Sequence, residues 1–227
     1  MNMLPRGLIV SCQAYAGEPL FGDTIMAAMA RAALEGGAVG IRANSPVDIA
    51  AIRLVTDRPI IGLYKIHSPD SAVYITPTCE AALTIANAGC DWIAIDATPR
   101  PRPGGVTLTA LIHYIHTDLH KPVMADISCV ADAELAASLG ADVLSTTLAG
   151  YTEHGRPALD GPDFDLLEIL IKQNTLPVIA EGRYREPGDV VRAFALGAHA
   201  VVIGGAITRP QDITRRLVRA IPMEGPA

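Results

Sequence analysis

PGDVVRAFALGAHAVVIG, residues 187–204, passes from a proline-initiated helical pattern through a glycine into a short β-branched run. Pro187–Leu196 carries the helical spacing, Gly197-Ala198 reads as a helix end followed by the start of a strand, and Ala200–Gly204 is apolar at successive positions. A run apolar on both faces suits a parallel strand covered on both sides. The same punctuation, Gly before Ala or Cys, recurs at Gly37-Ala38, Gly89-Cys90 and Gly140-Ala141. Worked outward from this unit, the chain reads as strands near Gly7–Gln13, Ala38–Arg42, Pro59–Lys65, Trp92–Asp96, Val123–Asp126, Val143–Thr147, Val178–Glu181 and Ala200–Gly204. Helical patterns alternate with them, the last at Gln211–Ala220, so each step is a right-handed βαβ crossover.

Eight such units in 227 residues predict one α/β domain spanning the whole chain, a single (β/α)8 TIM barrel. The rival, an open doubly wound sheet, would be expected to close its first strand with a GxGxxG turn, and none is present. Half the residues are apolar, 19% are charged and 4% aromatic, which suits buried parallel strands. A net charge of −6 with no Lys/Arg run argues against a nucleic-acid surface, so an anionic ligand needs a focused site. The first six residues lack the apolar stretch of a secretory signal, and no later stretch is long enough to span a membrane. A cytoplasmic protein is expected. Cys12, Cys79, Cys90 and Cys129 form no CxxC pair and have no His at ligand spacing along the chain, which predicts reduced cysteines and no bound metal.

In a barrel of this kind the active site is built at the carboxyl ends of the strands. Those ends carry Gln13, Arg42, Lys65, Asp96, Asp126, Thr146 with Thr147, Glu181 with Arg183, and Gly204 with Gly205. For Asp96 a turn clip through Thr98 competes with a site role, and for Asp126 a cap on the next helix with Ser128 does the same. Lys65 ends the apolar run Pro59–Tyr64, and burying its tip without a partner would be costly. Glu181 comes from a distant strand but points into the same mouth. A structural ion pair between Lys65 and Glu181 is the alternative to catalysis.

Loops after the seventh and eighth strands are the recurrent phosphate site of these barrels. Here they supply Gly182, Arg183, Gly204 and Gly205, with Arg209 just beyond and Thr208 as the expected N-cap of a helix whose N1 residue is Pro210. His113, His116 and His120 share a helix face that reads as solvated, not as a metal box.

Taken in order, these stretches resemble the bacterial N-acetylmannosamine-6-phosphate 2-epimerases. The resemblance covers essentially the whole chain. It rests on Gly7-Leu8-Ile9-Val10-Ser11-Cys12-Gln13-Ala14, Gly40-Ile41-Arg42-Ala43-Asn44, Val73–Thr78 and Ile93–Thr98, and further on Met124–Ser128, Gly150-Tyr151-Thr152, Val178–Arg183 and Gly204–Pro210. Residue by residue, it implies Lys65 and Glu181 as the catalytic pair, and Gln13, Arg42, Asp126 and Arg209 as substrate-binding groups. It departs at Ile66 and His67, which stand where the family pattern has Arg and Asp.

The reaction so implied opens the sugar ring, removes the hydrogen at C2, made acidic by the C1 aldehyde, and returns a proton from the opposite face. That face requires a second group or a hydroxyl of the substrate itself. No cofactor is needed, the partner is a small phosphosugar, and a homo-oligomer, most simply a dimer, is expected. Two rivals stand beside this reading. A pentose-phosphate epimerase would be expected to carry His and Asp metal ligands at its strand ends. The other is a silent barrel that senses a phosphosugar.

Overall fold

Eight short strands close on themselves in the order of the chain, every neighbouring pair parallel. The computed structural model describes residues 3–173 and 175–222; Met1 and Asn2 of the amino-terminal stretch lie outside them. The strands are β1 Gly7–Cys12, β2 Gly40–Asn44, β3 Ile60–Leu63, β4 Trp92–Asp96, β5 Val123–Asp126, β6 Val143–Ser145, β7 Val178–Glu181 and β8 Ala200–Ile203. Between them run α1 Asp23–Glu35, α2 Pro46–Arg53, α3 Cys79–Asn87, α4 Leu108–Thr117, α5 Val130–Ser138, α6 Phe164–Gln173 and α7 Pro187–Leu196, and after β8 follow α8 Gly205–Thr208 and α9 Pro210–Arg219. No helix among the described residues is long and apolar enough to cross a membrane.

Local chemistry explains the boundaries. Thr78 and Thr107 accept the N3 backbone N–H of α3 and α4 through their side chains, and Glu186 with Asp189 forms a reciprocal box at the start of α7. Gly37, Gly89, Gly140 and Gly197 all take left-handed backbone angles between the helix ends and the strands that follow, as the recurrent Gly-Ala and Gly-Cys pairs predict. At Gly62 a side chain is excluded outright, since a Cβ there would stand 2.7 Å from Cβ of Cys90.

The period of two divides the strands between two cores. Outward residues such as Val10, Ile41, Ala125, Ala180 and Val201 pack beneath the helices, while Ile9, Ile61, Leu63, Met124, Ile179 and Val202 fill the barrel interior. Both sets are essentially fully buried.

Several sequence boundaries need correction, β1 and β8 each ending one residue early, at Cys12 and Ile203. β2 runs from Gly40 to Asn44 instead of ending at Arg42. β3 stops at Leu63, and Lys65 pairs instead through an antiparallel bridge with Ile75. β6 ends at Ser145, because Thr146–Leu148 winds into a 3-10 turn. Thr208 is not an N-cap: it closes α8, and its hydroxyl donates to the carbonyls of Ser11 and Gly204 while Arg209 occupies the cap position of α9.

Candidate active site

The residues that reach the mouth continue the interior rows. Ser11 lies two positions beyond Ile9, Asp126 two beyond Met124, Glu181 two beyond Ile179 and Gly204 two beyond Val202, so the pleat turns each toward the axis. Ser11, Glu181 and Gly204 open into a cavity of about 910 Å³ whose lining also includes Gln13, Arg42, Lys65, Thr147 and Arg209, whereas Asp126, expected to bind substrate, is fully buried and outside the lining.

At its floor Arg42, only 1% exposed, holds two carboxylates. Its Nη2 donates to Asp126 Oδ2 at 2.5 Å and its Nη1 to Asp126 Oδ1 at 3.0 Å, a planar two-point pairing that suits the guanidinium fork. Nη1 also donates to Glu181 Oε2 at 2.7 Å. The Thr147 hydroxyl stands 2.7 Å from Asp126 Oδ1 and 3.0 Å from Glu181 Oε2, and Ser145 Oγ lies 2.8 Å from it. Burial opposes the charge of Arg42, but the two carboxylates outweigh it and its pKa is raised. For Glu181 burial dominates: it drives the carboxyl up to about 7, aided by the charge of Asp126 and opposed by Arg42, the Thr147 hydrogen bond and Lys65. A carboxyl poised there can both take and give a proton near neutrality.

Lys65 does not pair with Glu181. No salt bridge joins them among the described residues; Lys65 Nζ donates instead to the Tyr15 hydroxyl at 2.9 Å. β3, which Lys65 follows, and β7, which Glu181 ends, are four strands apart in a closed ring of eight, and both residues line the cavity. Gln13 Nε2 donates to Ser11 Oγ at 2.7 Å, but Gln13 Oε1 and Arg42 Nε are buried without a partner among the described residues. Unmet buried polar atoms cost roughly 1–3 kcal/mol each.

The β7 and β8 ends supply an anion-ready rim. Gly182 and Arg183 both adopt positive φ, 109° and 61°, an uncommon conformation for the arginine. Arg183 Nε and Nη1 each donate at 2.8 Å to the carbonyls of Gly161 and Ala149, so part of its guanidinium braces the β6–α6 loop. The N–H groups of Gly204, Gly205 and Ala206 meet no acceptor among the described residues. A Cβ on Gly204 would come within 3.3 Å of Ser11 Cβ, so glycine keeps this approach open. Arg209 pairs with Glu18 at 3.1 Å.

The remaining candidates fall elsewhere. Asp96 is a turn clip: its Oδ1 accepts the N–H and hydroxyl of Thr98, and its Oδ2 pairs with Arg100 at 2.6 Å. Asp126 does not cap α5; Ser128 donates to Asp132 in that place. His116 pairs with Asp142 at 2.9 Å instead of standing free on a solvated face. His67 stacks on Tyr74 with ring centroids 5.0 Å apart. Cys129, Asp132 and His154 offer ligand atoms within 4.8 Å of one another, a grouping hidden in the sequence because His154 comes from a different loop. Sequence reasoning also missed Tyr15 and Ser145, which carry no motif of their own.

A closed parallel barrel with a buried arginine–carboxylate cluster and a lysine at its mouth is the architecture of a (β/α)8 enzyme. The chain belongs to the N-acetylmannosamine-6-phosphate epimerase family. The family model described as "Putative N-acetylmannosamine-6-phosphate epimerase" matches residues 26–223. A Clostridioides difficile protein named "Putative N-acetylmannosamine-6-phosphate 2-epimerase" is 50% identical over 214 residues, 94% of this chain and 95% of its own. One of the same name from Caldanaerobacter subterraneus is 50% identical over 222 residues, 97% of this chain and 93% of its own. The solved N-acetylmannosamine-6-phosphate 2-epimerase of Clostridium perfringens superposes with a TM-score of 0.92 at 45% identity, covering 94% of this chain and 93% of the other.

Proposed function

We propose that the chain interconverts N-acetylmannosamine 6-phosphate and N-acetylglucosamine 6-phosphate in amino-sugar breakdown, with Lys65 and Glu181 exchanging the proton at C2. The observation that supports this reading is that Lys65, just beyond β3, and Glu181, at the end of β7, line one cavity from strands four apart in the ring. Inversion needs a proton to leave one face of C2 and return to the other. In one direction the first group breaks the C2–H bond of the open-chain aldehyde, the electrons pass into an enolate, and the second group delivers its proton to the opposite face. In the reverse direction the roles exchange.

The floor cluster assists both steps. Arg42, itself held by Asp126, fixes the Glu181 carboxyl, whose pKa of about 7 lets it serve as acid or base. Gln13 Oε1 and Arg42 Nε, without partners among the described residues, supply an acceptor and a donor for the amide and the sugar oxygens. Gly182, Arg183, Gly204 and Gly205, with Arg209 beside them, receive the phosphate; the N–H groups of Gly204 and Gly205, without an acceptor among the described residues, support that assignment.

The four free cysteines support a cytoplasmic setting. The assembly we propose is a homodimer, supported by α9, which buries none of its own residues and leaves Leu217 62% exposed. A monomer mass by light scattering would overturn the assembly.

The deciding experiment follows C2 by proton NMR during turnover of N-acetylmannosamine 6-phosphate in deuterated water. Deuterium should appear at C2 of the product, because the proton passes through exchangeable groups. Product with the original hydrogen fully retained, or no product, overturns the reading.

A further inference from the structure

The β1–α1 loop sets a tyrosine between two cations of the cavity, and the proton-transfer scheme leaves it without a role. Tyr15 lines the cavity and is 43% exposed. Its hydroxyl accepts from Lys65 Nζ at 2.9 Å, and among the described residues it is the only group hydrogen-bonded to that nitrogen. The guanidinium carbon of Arg209 stands 5.0 Å from the ring centroid, within the range of a cation–π contact. The backbone of Tyr15 is held as well: its N–H donates to Glu18 Oε2 at 2.7 Å, and its carbonyl accepts from the Glu18 N–H at 2.9 Å. The same Oε2 accepts from Arg209 Nη2 at 3.1 Å, so one carboxylate fixes both the tyrosine and the arginine that lies on it.

We propose that Tyr15 is a positioning residue: its hydroxyl holds Lys65 Nζ in line with C2, and its ring carries Arg209 against the substrate. The inference rests on the reading of Lys65 as a proton-transfer group. A lysine side chain is long and flexible, and a base displaced by about 1 Å loses much of its rate advantage. A phenol suits the task because it serves both protonation states. It accepts from the ammonium and donates to the neutral amine, so it holds the nitrogen in place without selecting one form. A carboxylate at that position would favour the charged form alone.

The hydroxyl and the ring are separable. With the full chain and N-acetylmannosamine 6-phosphate, Tyr15→Phe should lower kcat about tenfold and leave KM within about twofold, because only the tether to Lys65 is lost. Tyr15→Leu should show the same fall in kcat together with a KM raised several-fold, because Arg209 also loses its support. A Tyr15→Phe variant with wild-type kcat, or one whose only change is in KM, overturns the proposal.

A second measurement is independent of turnover. Lys65 should react faster with trinitrobenzenesulfonate in both variants than in the wild type, with Lys121 and Lys172 as internal references in peptide mass spectrometry. Unchanged labelling of Lys65 overturns the proposal even where kcat has fallen. If the wild-type chain proves unable to convert the sugar, the proposed reaction fails, while the labelling still decides whether Tyr15 holds Lys65.

Discussion

Glu181 Oε2 lies 2.7 Å from Nη1 of Arg42, and this pairing, rather than one with Lys65, holds the carboxyl at the cavity floor. The catalytic pair inferred from the strand ends is therefore two separately supported groups, which makes their variants distinguishable by stability and by rate.

Lys65→Ala should lower kcat by roughly 10²–10⁴, the usual range for a general acid–base group, and melt near the wild type, since among the described residues its Nζ is hydrogen-bonded only to the exposed Tyr15. Glu181→Gln should lose a comparable factor. The double variant should lose far less than the product of the two, because the groups act as one unit. Steady-state rates and thermal melts together check this; a Lys65→Ala protein that melts far below the wild type while its folded fraction turns over contradicts it.

Asp126→Ala should behave in the opposite manner. It removes the two-point partner of a fully buried guanidinium and leaves Arg42 with Glu181 alone. Breaking a buried pair from one side costs about 3–5 kcal/mol, to be read from urea unfolding at neutral pH.

The pH dependence follows from burial of Glu181, which raises its pKa from 4.5 to about 7. Transfer across C2 in either direction needs the pair to be short of one proton. Both directions should therefore share a limb in which kcat/KM falls tenfold per pH unit below about 7. Stability runs with the raised pKa. The folded state prefers the protonated carboxyl, so its stabilising contribution is full below 4.5 and is lost as pH rises through about 7. Measured against Glu181→Gln, wild-type stability should decline across that window; a flat difference contradicts the assignment.

Arg209→Ala tests the phosphate grip. Loss of one charged hydrogen bond, about 1.5–3 kcal/mol, should lower kcat/KM for the phosphosugar roughly 10- to 100-fold. The unphosphorylated sugar should already be a poor substrate and change little, as competition with inorganic phosphate will also register. Equal kcat/KM for both sugars in the wild type removes the phosphate site.

Activity should survive EDTA, because none of the proposed steps passes through a metal. Loss restored by a divalent ion would direct attention to Cys129, Asp132 and His154.

Much of the site was legible because strand ends are local features. Gln13, Arg42, Lys65, Asp126 and Glu181 each close or follow an apolar run, and the pleat sends every second residue to the axis. The rim glycines were legible for the same reason. What misled was competition at close range: Asp96 has Thr98 and Arg100 within four residues and is consumed by them, whereas Asp126, with Ser128 equally near, is claimed by Arg42 from 84 residues away. Tyr15 was invisible because a single aromatic in a loop has no period.

The sequence by itself determined the eight βα units, the glycines that end the helices and the identity of the residues that reach the barrel mouth, because turn chemistry and hydrophobic period act over a few residues. Only the tertiary structure decided who meets whom there. Closure of the ring sets Arg42 of β2 against Asp126 of β5 and Glu181 of β7, leaves Lys65 to Tyr15, and brings His154 to Asp132. Those pairings depend on strand register and burial across the whole barrel, and so does the proton affinity of Glu181, which is a property of its surroundings and not of its place in the chain.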